Sequence, residues 1–122
     1  MANLTNVRCV LAVKDLPTSV AFYRDILGFT LDLEVTGWAF LSRDRFQVML
    51  GECPDAMSAN QTGDHSYFAY VNVDDVDDLY RELSAKGVSR IQEVADKPWG
   101  MREFDVRTPD GHRIMFGQRL ST

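Results

Sequence analysis

The sequence has few residues that bind metals or form covalent cross-links. Its 122 residues include only two histidines and two cysteines, which are His65, His112, Cys9 and Cys53. Their spacing matches no metal-binding motif, and a lone histidine needs convergent second and third ligands to hold a metal. Two cysteines do not form a disulfide framework, so we expect free thiols in a reducing compartment.

Long apolar runs and an excess of positive charge are also absent. No run approaches the length of a membrane-spanning helix, and residues 1–5 lack the basic and apolar regions of a secretory signal. Acidic residues outnumber basic ones by 18 to 13, which gives a net charge of −5. This charge disfavours non-specific binding to nucleic acid or anionic membranes and favours a cationic ligand. We therefore expect a cytoplasmic protein without a nucleic-acid or membrane partner.

The clearest local pattern lies in the C-terminal stretch 98–118. Two short segments of alternating apolar residues flank the sequence Thr-Pro-Asp-Gly at 108–111. Pro109 favours the φ angle of a turn, and Gly111 tolerates a positive φ. The alternation predicts a half-buried hairpin.

The remaining pattern predicts two helices and six further strands. Asp15 and Asp75 are candidate helix starts, whereas Gly28 and Gly87 are candidate ends. Predicted strands cover 7–13, 29–35, 38–41, 46–50, 66–73 and 89–94, predicted helices cover 15–27 and 74–86, and a long loop covers 51–65.

The order of these elements repeats, as do short sequences within them. Residues 22–26 (FYRDI) match 79–83 (LYREL), 13–16 (VKDL) match 73–76 (VDDV), and 44–50 (DRFQVML) match 110–116 (DGHRIMF). Three matches in the same order indicate two β-α-β-β-β modules. We predict one α+β domain spanning 1–122, with modules at about 4–52 and 66–120. The two modules are expected to form one curved mixed sheet around a cavity, with helices on its outer face.

Segments 13–29 and 109–111 resemble the vicinal oxygen chelate superfamily, which contains glyoxalases, extradiol dioxygenases and bleomycin-resistance proteins. The resemblance covers essentially the whole chain. The segment Pro-Trp-Gly-Met-Arg-Glu-Phe at 98–104 is similar to the bleomycin-resistance branch. Because one fold can carry many activities, the site has to be argued residue by residue.

Enzymes of the superfamily carry metal ligands at four strand positions facing the cavity. The resemblance places Arg8, Met49, Phe68 and Met115 at these positions. Arginine and phenylalanine offer no lone pair to a metal at neutral pH, and methionine is a weak, soft ligand. We therefore expect no metal, no cofactor and no catalytic residue, which makes ligand binding a better prediction than catalysis.

Aromatic side chains and methionines would instead line the cavity, where they suit a large planar or irregular ligand. Trp99 is the strongest candidate, because a tryptophan beside a turn glycine has little reason to be there for packing alone. Phe68, Tyr70 and Met115 could equally fill the core. The predicted ligand-binding residues are Trp99, Phe68, Tyr70, Trp38, Phe40, Met49, Met115, Arg8, Arg102 and Glu103.

Two arginines leave the charge of the ligand open. If Arg8 and Arg102 face the cavity, an anionic or zwitterionic ligand becomes credible, whereas pairing with Glu103 or Asp105 would remove their charge from the site. The acidic net charge favours a bulky cationic ligand.

The resemblance implies a protein that confers resistance by sequestering a bleomycin-type antibiotic, since sequestration requires tight binding and no catalytic group. It also implies a homodimer with ligand clefts at the subunit interface, on which the polar arm 1–6 would pack. One alternative is a glyoxalase-like lyase or another small-metabolite enzyme with a degenerate metal site. A scaffold with a filled cavity is a third possibility.

Overall fold

The computed structural model describes residues 1–88 and 90–121, without the side chains at 63, 64, 90 and 91. The chain forms two compact units, Met1–Ala56 and Met57–Thr122. The first contains strand β1 (Cys9–Val13), helix α1 (Leu16–Ala21) continued by a π-helical turn (Phe22–Ile26), and strands β2 (Thr30–Val35), β3 (Trp38–Arg43) and β4 (Phe46–Glu52). The second contains a 3₁₀ helix (Ala59–His65), strand β5 (Tyr67–Asn72), helix α2 (Val76–Ala85), and strands β6 (Arg90–Asp96), β7 (Met101–Arg107) and β8 (Arg113–Arg119).

Each unit has a four-stranded mixed sheet, ordered β1-β4-β3-β2 in the first and β5-β8-β7-β6 in the second. β1 is parallel to β4 and β5 to β8, while the other neighbours are antiparallel. The predicted α+β class and the two β-α-β-β-β modules are therefore confirmed. The described pairing gives one sheet to each module, where the sequence led us to expect a single curved sheet.

Corresponding residues of the two modules have corresponding partners. Met49 in β4 is paired with Val10 and Phe40, and Met115 in β8 is paired with Tyr70 and Asp105. The repeat of 44–50 at 110–116 is thus a true structural repeat.

One face of each sheet packs against the helix of its own module and holds the apolar core. In the second module, the ring centroids of Phe104 in β7 and Tyr80 in α2 are 5.2 Å apart, and Phe104 stacks on Phe116 of β8. Because side chains alternate along a strand, residues on either side of Phe104 point away from α2. The buried core of both modules includes Leu11, Val13, Leu16, Val20, Leu41, Val48, Leu50, Val76, Leu79, Leu83, Phe104, Val106, Ile114 and Phe116.

The two helices begin in equivalent ways. The backbone N–H of Leu16 donates to Glu52 Oε2 over 3.0 Å, and that of Val76 donates to Gln118 Oε1 over 2.9 Å. Each acceptor follows the glycine of its strand, Gly51 or Gly117. In both modules, the residue after this glycine in the fourth strand therefore satisfies the first free amide of the helix.

The cap predictions are correct in position and differ in chemistry. The Asp75 side chain accepts a hydrogen bond from Asp78 N over 3.1 Å, as an N-cap residue does. Asp15 occupies the N-cap position of α1 without capping a backbone amide, and its carboxylate accepts from the Thr18 hydroxyl instead. Gly87 follows the helix end with φ +74°, as expected for a residue after a C-cap.

Several predicted boundaries need correction. The first strand starts at Cys9 and not at residue 7, and the predicted loop 51–65 includes the 3₁₀ helix Ala59–His65. Ser89, the predicted start of a strand, lies outside the described residues. The hairpin turn is as predicted, because Gly111 has φ +87° and its N–H donates to Thr108 O over 2.8 Å. No helix within the described part of the chain is long and apolar enough to cross a membrane.

Candidate ligand-binding face

The face of the second sheet that points away from α2 brings together several polar side chains. Register and alternation place Tyr70 of β5, Glu103 and Asp105 of β7, and Met115 and Gly117 of β8 on this face. We call this surface, together with Arg113 and the adjacent Trp99, the polar face. Its carboxylates are buried although they stand on the side without a helix.

Glu103 holds two aromatic side chains at once. Its Oε2 accepts a hydrogen bond from the Tyr70 hydroxyl over 2.7 Å and another from Trp99 Nε1 over 3.0 Å. Glu103 is only 3% exposed, whereas Tyr70 is 46% and Trp99 65% exposed. The carboxylate therefore fixes two aromatic side chains that still present much of their surface to solvent.

A glycine makes this arrangement possible. Tyr70 and Glu103 stand on strands that flank β8, and Gly117 is the β8 residue paired with both Asn72 and Glu103. A Cβ at position 117 would lie 2.0 Å from the Tyr70 hydroxyl oxygen. Any side chain there would block the path by which Tyr70 crosses β8 to reach Glu103.

The pKa of Tyr70 reflects this setting. It is raised to about 12, first because burial disfavours the charged phenolate, and then because Glu103 accepts the hydrogen bond of the hydroxyl and repels a second negative charge. The phenol stays protonated at neutral pH and remains a donor to the carboxylate.

The second carboxylate of the polar face has a cationic partner. Asp105 is fully buried, and its Oδ2 accepts from Arg113 over 2.7 Å. The Arg113 guanidinium also lies 3.9 Å from the centroid of the Tyr67 ring and donates to the Tyr67 hydroxyl. The cluster of Tyr67, Arg113 and Asp105 is thus a buried ion pair covered by an aromatic ring.

Phe68 occupies the end of the polar face nearest the hairpin turn. Its half-buried ring meets the imidazole of His112 edge-on, with the ring centroids 5.8 Å apart. Burial lowers the pKa of His112, while the charge of Asp110 acts in the opposite direction. A neutral imidazole packed on a phenylalanine suits a structural role for His112 at this turn.

The first sheet carries an apolar counterpart on the face away from α1. Trp38 and Phe40 of β3 correspond by register to Glu103 and Asp105, and Met49 of β4 corresponds to Met115. The Trp38 ring covers Gly51, where a Cβ would lie 2.9 Å from two ring atoms. The guanidinium carbon of Arg8 is 6.0 Å from the centroid of the Phe40 ring. We call this surface the apolar face.

Arg102 stands apart from the other predicted ligand-binding residues. It is paired by register with Gln118, on the side of β7 that faces α2, and its guanidinium binds Asp77 and Asp96 over 3.0 and 2.8 Å. These two partners raise the pKa of Arg102. The suggested pairing with Glu103 or Asp105 is wrong for Arg102, because its guanidinium binds Asp77 and Asp96 instead. For Arg8 the pairing stays a prediction.

Residues 6–116 match the family model of the Glyoxalase/Bleomycin resistance protein/Dioxygenase superfamily. The chain belongs to this superfamily. It is 30% identical over 125 residues to bleomycin resistance proteins of Geobacillus stearothermophilus and Staphylococcus aureus, an alignment that covers 92% of this chain and 95% of theirs. Among solved structures, it is similar to the bleomycin-binding protein of Streptomyces verticillus in complex with copper(II)-bleomycin. The identity is 26%, the TM-score is 0.72, and both chains are covered completely.

The resemblance to the superfamily assigned four metal-ligand positions, and the structure shows what surrounds them. Met49 and Met115 are equivalent and half-buried, Phe68 contacts His112, and Arg8 precedes β1. In the described part of the chain, no group of three or more histidine, cysteine, aspartate or glutamate side chains could hold a metal ion.

For this member of the superfamily, sequence reasoning missed the cluster of Tyr67, Arg113 and Asp105. A spacing of two residues places Arg113 on the face of Met115, and Asp105 on the face of Glu103. The missing step was to align the two hairpin strands across the turn at 108–111, which brings residues 105 and 113 to the same face.

Proposed function

We propose that this protein binds and sequesters a bleomycin-type antibiotic without transforming it. The site would be the polar face, with Trp99 and Tyr70 stacking on a planar part of the ligand and Phe68 and Met115 extending the apolar surface. The bleomycin resistance proteins that are 30% identical over nearly their full length support this assignment.

The observation that carries the proposal is the pair of exposed aromatic side chains fixed by Glu103. Large exposed apolar side chains on a soluble protein usually mark a binding surface when they are grouped. Trp99 and Tyr70 are held by hydrogen bonds through their polar atoms, so their positions are set before a ligand arrives. Such preorganised aromatic anchors are typical of tight small-molecule binding.

We further propose that the two modules act as one domain and that the protein is a cytoplasmic homodimer, with the arm 1–6 packed on the partner subunit. The arm is exposed throughout, and Met1 and Leu4 are among the most exposed apolar side chains. Trp38, Phe40, Met49 and Arg8 of the apolar face stay predicted ligand-binding residues.

The test is calorimetric titration of metal-free bleomycin into the wild-type protein and the Trp99→Ala variant. Truncating a central aromatic anchor commonly costs about 2 kcal/mol, so affinity should fall by about 30-fold or more. Met57→Ala is a matched control, because Met57 is an exposed apolar residue outside the proposed site. Its affinity should equal that of the wild type.

Two results would count against the proposal in different ways. If the wild type shows no saturable binding to bleomycin, sequestration fails and an enzyme acting on a small metabolite becomes the better interpretation. Tight binding that is indifferent to Trp99→Ala would keep the function but move the site away from the polar face.

A further inference from the structure

The two buried carboxylates of the polar face differ in how their charge is balanced. Asp105 forms an ion pair with Arg113. Glu103 is almost as deeply buried, yet the two groups that hold it, a phenol and an indole, are neutral. A buried carboxylate without a cationic partner is costly, because neutral donors offset only part of the lost hydration.

Among the described residues of the second module, no arginine forms an ion pair with Glu103. Arg102 binds Asp77 and Asp96 on the opposite side of β7, and Arg107 donates to Asn60 over 2.7 Å. Arg119 shares the alternation of Gly117 on β8 but is exposed and makes no ion pair with Glu103. Among the described residues, the charge of Glu103 is therefore not neutralised.

The hydrogen-bonding capacity of Glu103 is also only partly used. Both donors reach Oε2, and within the part of the chain that the structure describes no donor reaches Oε1. A carboxylate has about four lone-pair sites, so Glu103 can accept further bonds or a direct ionic contact. Tyr70 and Trp99 beside it are the side-chain types that attract cations through their ring faces.

From these three observations we propose that Glu103, with Tyr70 and Trp99, forms a recognition site for an organic cation, an ammonium or sulfonium group at one end of the ligand. The inference rests on the proposed function for the identity of the ligand and adds the chemical feature that this site selects. The carboxylate supplies the counter-charge and the two aromatic rings supply apolar and cation–π contact.

The decisive experiment compares two nearly identical ligands with two nearly identical proteins. Bleomycin A2 carries a permanent dimethylsulfonium cation at the end of its tail, whereas demethylbleomycin A2 carries a neutral thioether. Glu103→Gln removes the charge and keeps an oxygen that can accept from Tyr70 and Trp99. Affinities of wild type and variant for both metal-free ligands give the coupling between the two charges.

We expect Glu103→Gln to weaken binding of bleomycin A2 by about tenfold more than binding of demethylbleomycin A2, as a charge-assisted contact requires. Asp55→Asn is the matched control, since Asp55 is an exposed carboxylate in the segment after β4 and its loss changes the net charge equally. It should affect both ligands alike. Circular dichroism and the midpoint of urea unfolding verify that the variant keeps its fold.

A second measurement separates this inference from the proposed function. Tetramethylammonium chloride is titrated into the protein, with sodium chloride as the ionic-strength control, while the Trp99 indole resonance is followed. A saturable shift in the wild type that disappears in Glu103→Gln supports a cation site, even if bleomycin itself does not bind.

If Glu103→Gln lowers the affinity for the two bleomycins equally, the inference is overturned and sequestration is left intact. The absence of bleomycin binding together with a Glu103-dependent response to tetramethylammonium would overturn sequestration and retain the cation site. If the protein responds to neither, both proposals are wrong.

Discussion

At the scale of single residues, Glu103 and Asp105 show how position decides the role of a carboxylate. They stand two residues apart on the same face of β7, and both are buried. Asp105 is neutralised within the fold, whereas Glu103 is held by neutral groups that remain exposed. The first is suited to stabilising the fold and the second to meeting a ligand.

The ion pair of Asp105 and Arg113 should be a major contributor to stability. Asp105→Asn leaves a buried guanidinium without its counter-charge, so the free energy of unfolding in urea should fall by about 3 kcal/mol. Asp25→Asn is the control, because Asp25 pairs with Arg24 at the surface and such pairs contribute at most about 1 kcal/mol. A loss no larger for Asp105→Asn than for this control would contradict the prediction.

The hydroxyl of Tyr70 should lose its proton at a higher pH than an unperturbed tyrosine does. Its pKa of about 12 in the folded protein lies above the value of about 10 expected for an unfolded chain. The folded state thus retains the phenolic proton, and the stability that this provides is complete below about pH 10 and is lost as the pH rises toward 12.

Tyrosinate absorbance in an alkaline titration measures this directly. A component near pH 12 should be missing from Tyr70→Phe. In Glu103→Gln this component should move to lower pH, because the neighbouring negative charge is gone. Ionisation of Tyr70 near pH 10, the value of an unperturbed tyrosine, would show that its bond to Glu103 does not persist in solution.

At the scale of secondary-structure elements, both modules use a strand side chain to cap the start of their helix. Glu52 and Gln118 follow equivalent glycines and accept from the first helical amide of α1 and α2. Gln118→Ala should lower the free energy of unfolding in urea by about 1 kcal/mol, as loss of a helix cap does. Gln61→Ala, at an exposed glutamine, should stay within about 0.5 kcal/mol of the wild type. Equal effects of the two substitutions would refute the capping role.

Elements fixed by local signals could be predicted from the sequence, and those fixed by distant contacts could not. The turn at 108–111 and the end of α2 at Gly87 carry their own proline and glycine signals. The 3₁₀ helix Ala59–His65 depends on Asp110, whose carbonyl accepts from Asn60 N over 3.2 Å and from Ser58 Oγ over 2.7 Å. The sequence 51–65 contains no signal that predicts hydrogen bonds to Asp110, about fifty residues away.

The candidate site was predictable to a similar degree. Tyr70, Glu103 and Met115 were predicted as ligand-binding residues, but alternation relates only residues of the same strand. The register of β5, β8 and β7 is what places these three residues on one face. Alternation also puts Arg102 and Glu103 on opposite faces of β7. The partners of Arg102, Asp77 and Asp96, belong to other elements and could not be predicted from the local sequence. The hydrogen bonds and ion pairs between these polar side chains depend on how the elements of a module pack together.

At the scale of the whole molecule, we predict a homodimer. β2 is an edge strand that exposes Leu33 and Val35, and an exposed apolar edge favours pairing with another chain. Light scattering at micromolar concentration should give twice the mass of one chain. Deletion of residues 1–6 should shift the protein toward the monomer, whereas a monomeric wild type would contradict the prediction.

The paired bonds from Tyr70 and Trp99 to one oxygen of Glu103 also have an entropic consequence. A free aromatic side chain loses rotamer freedom when a ligand orders it, at a cost of about 0.5–1.5 kcal/mol. Here folding has already restricted both side chains, so the ligand meets a surface that needs little ordering. A substitution at Glu103 would therefore change the entropy of ligand binding as well as the charge of the surface that the ligand contacts.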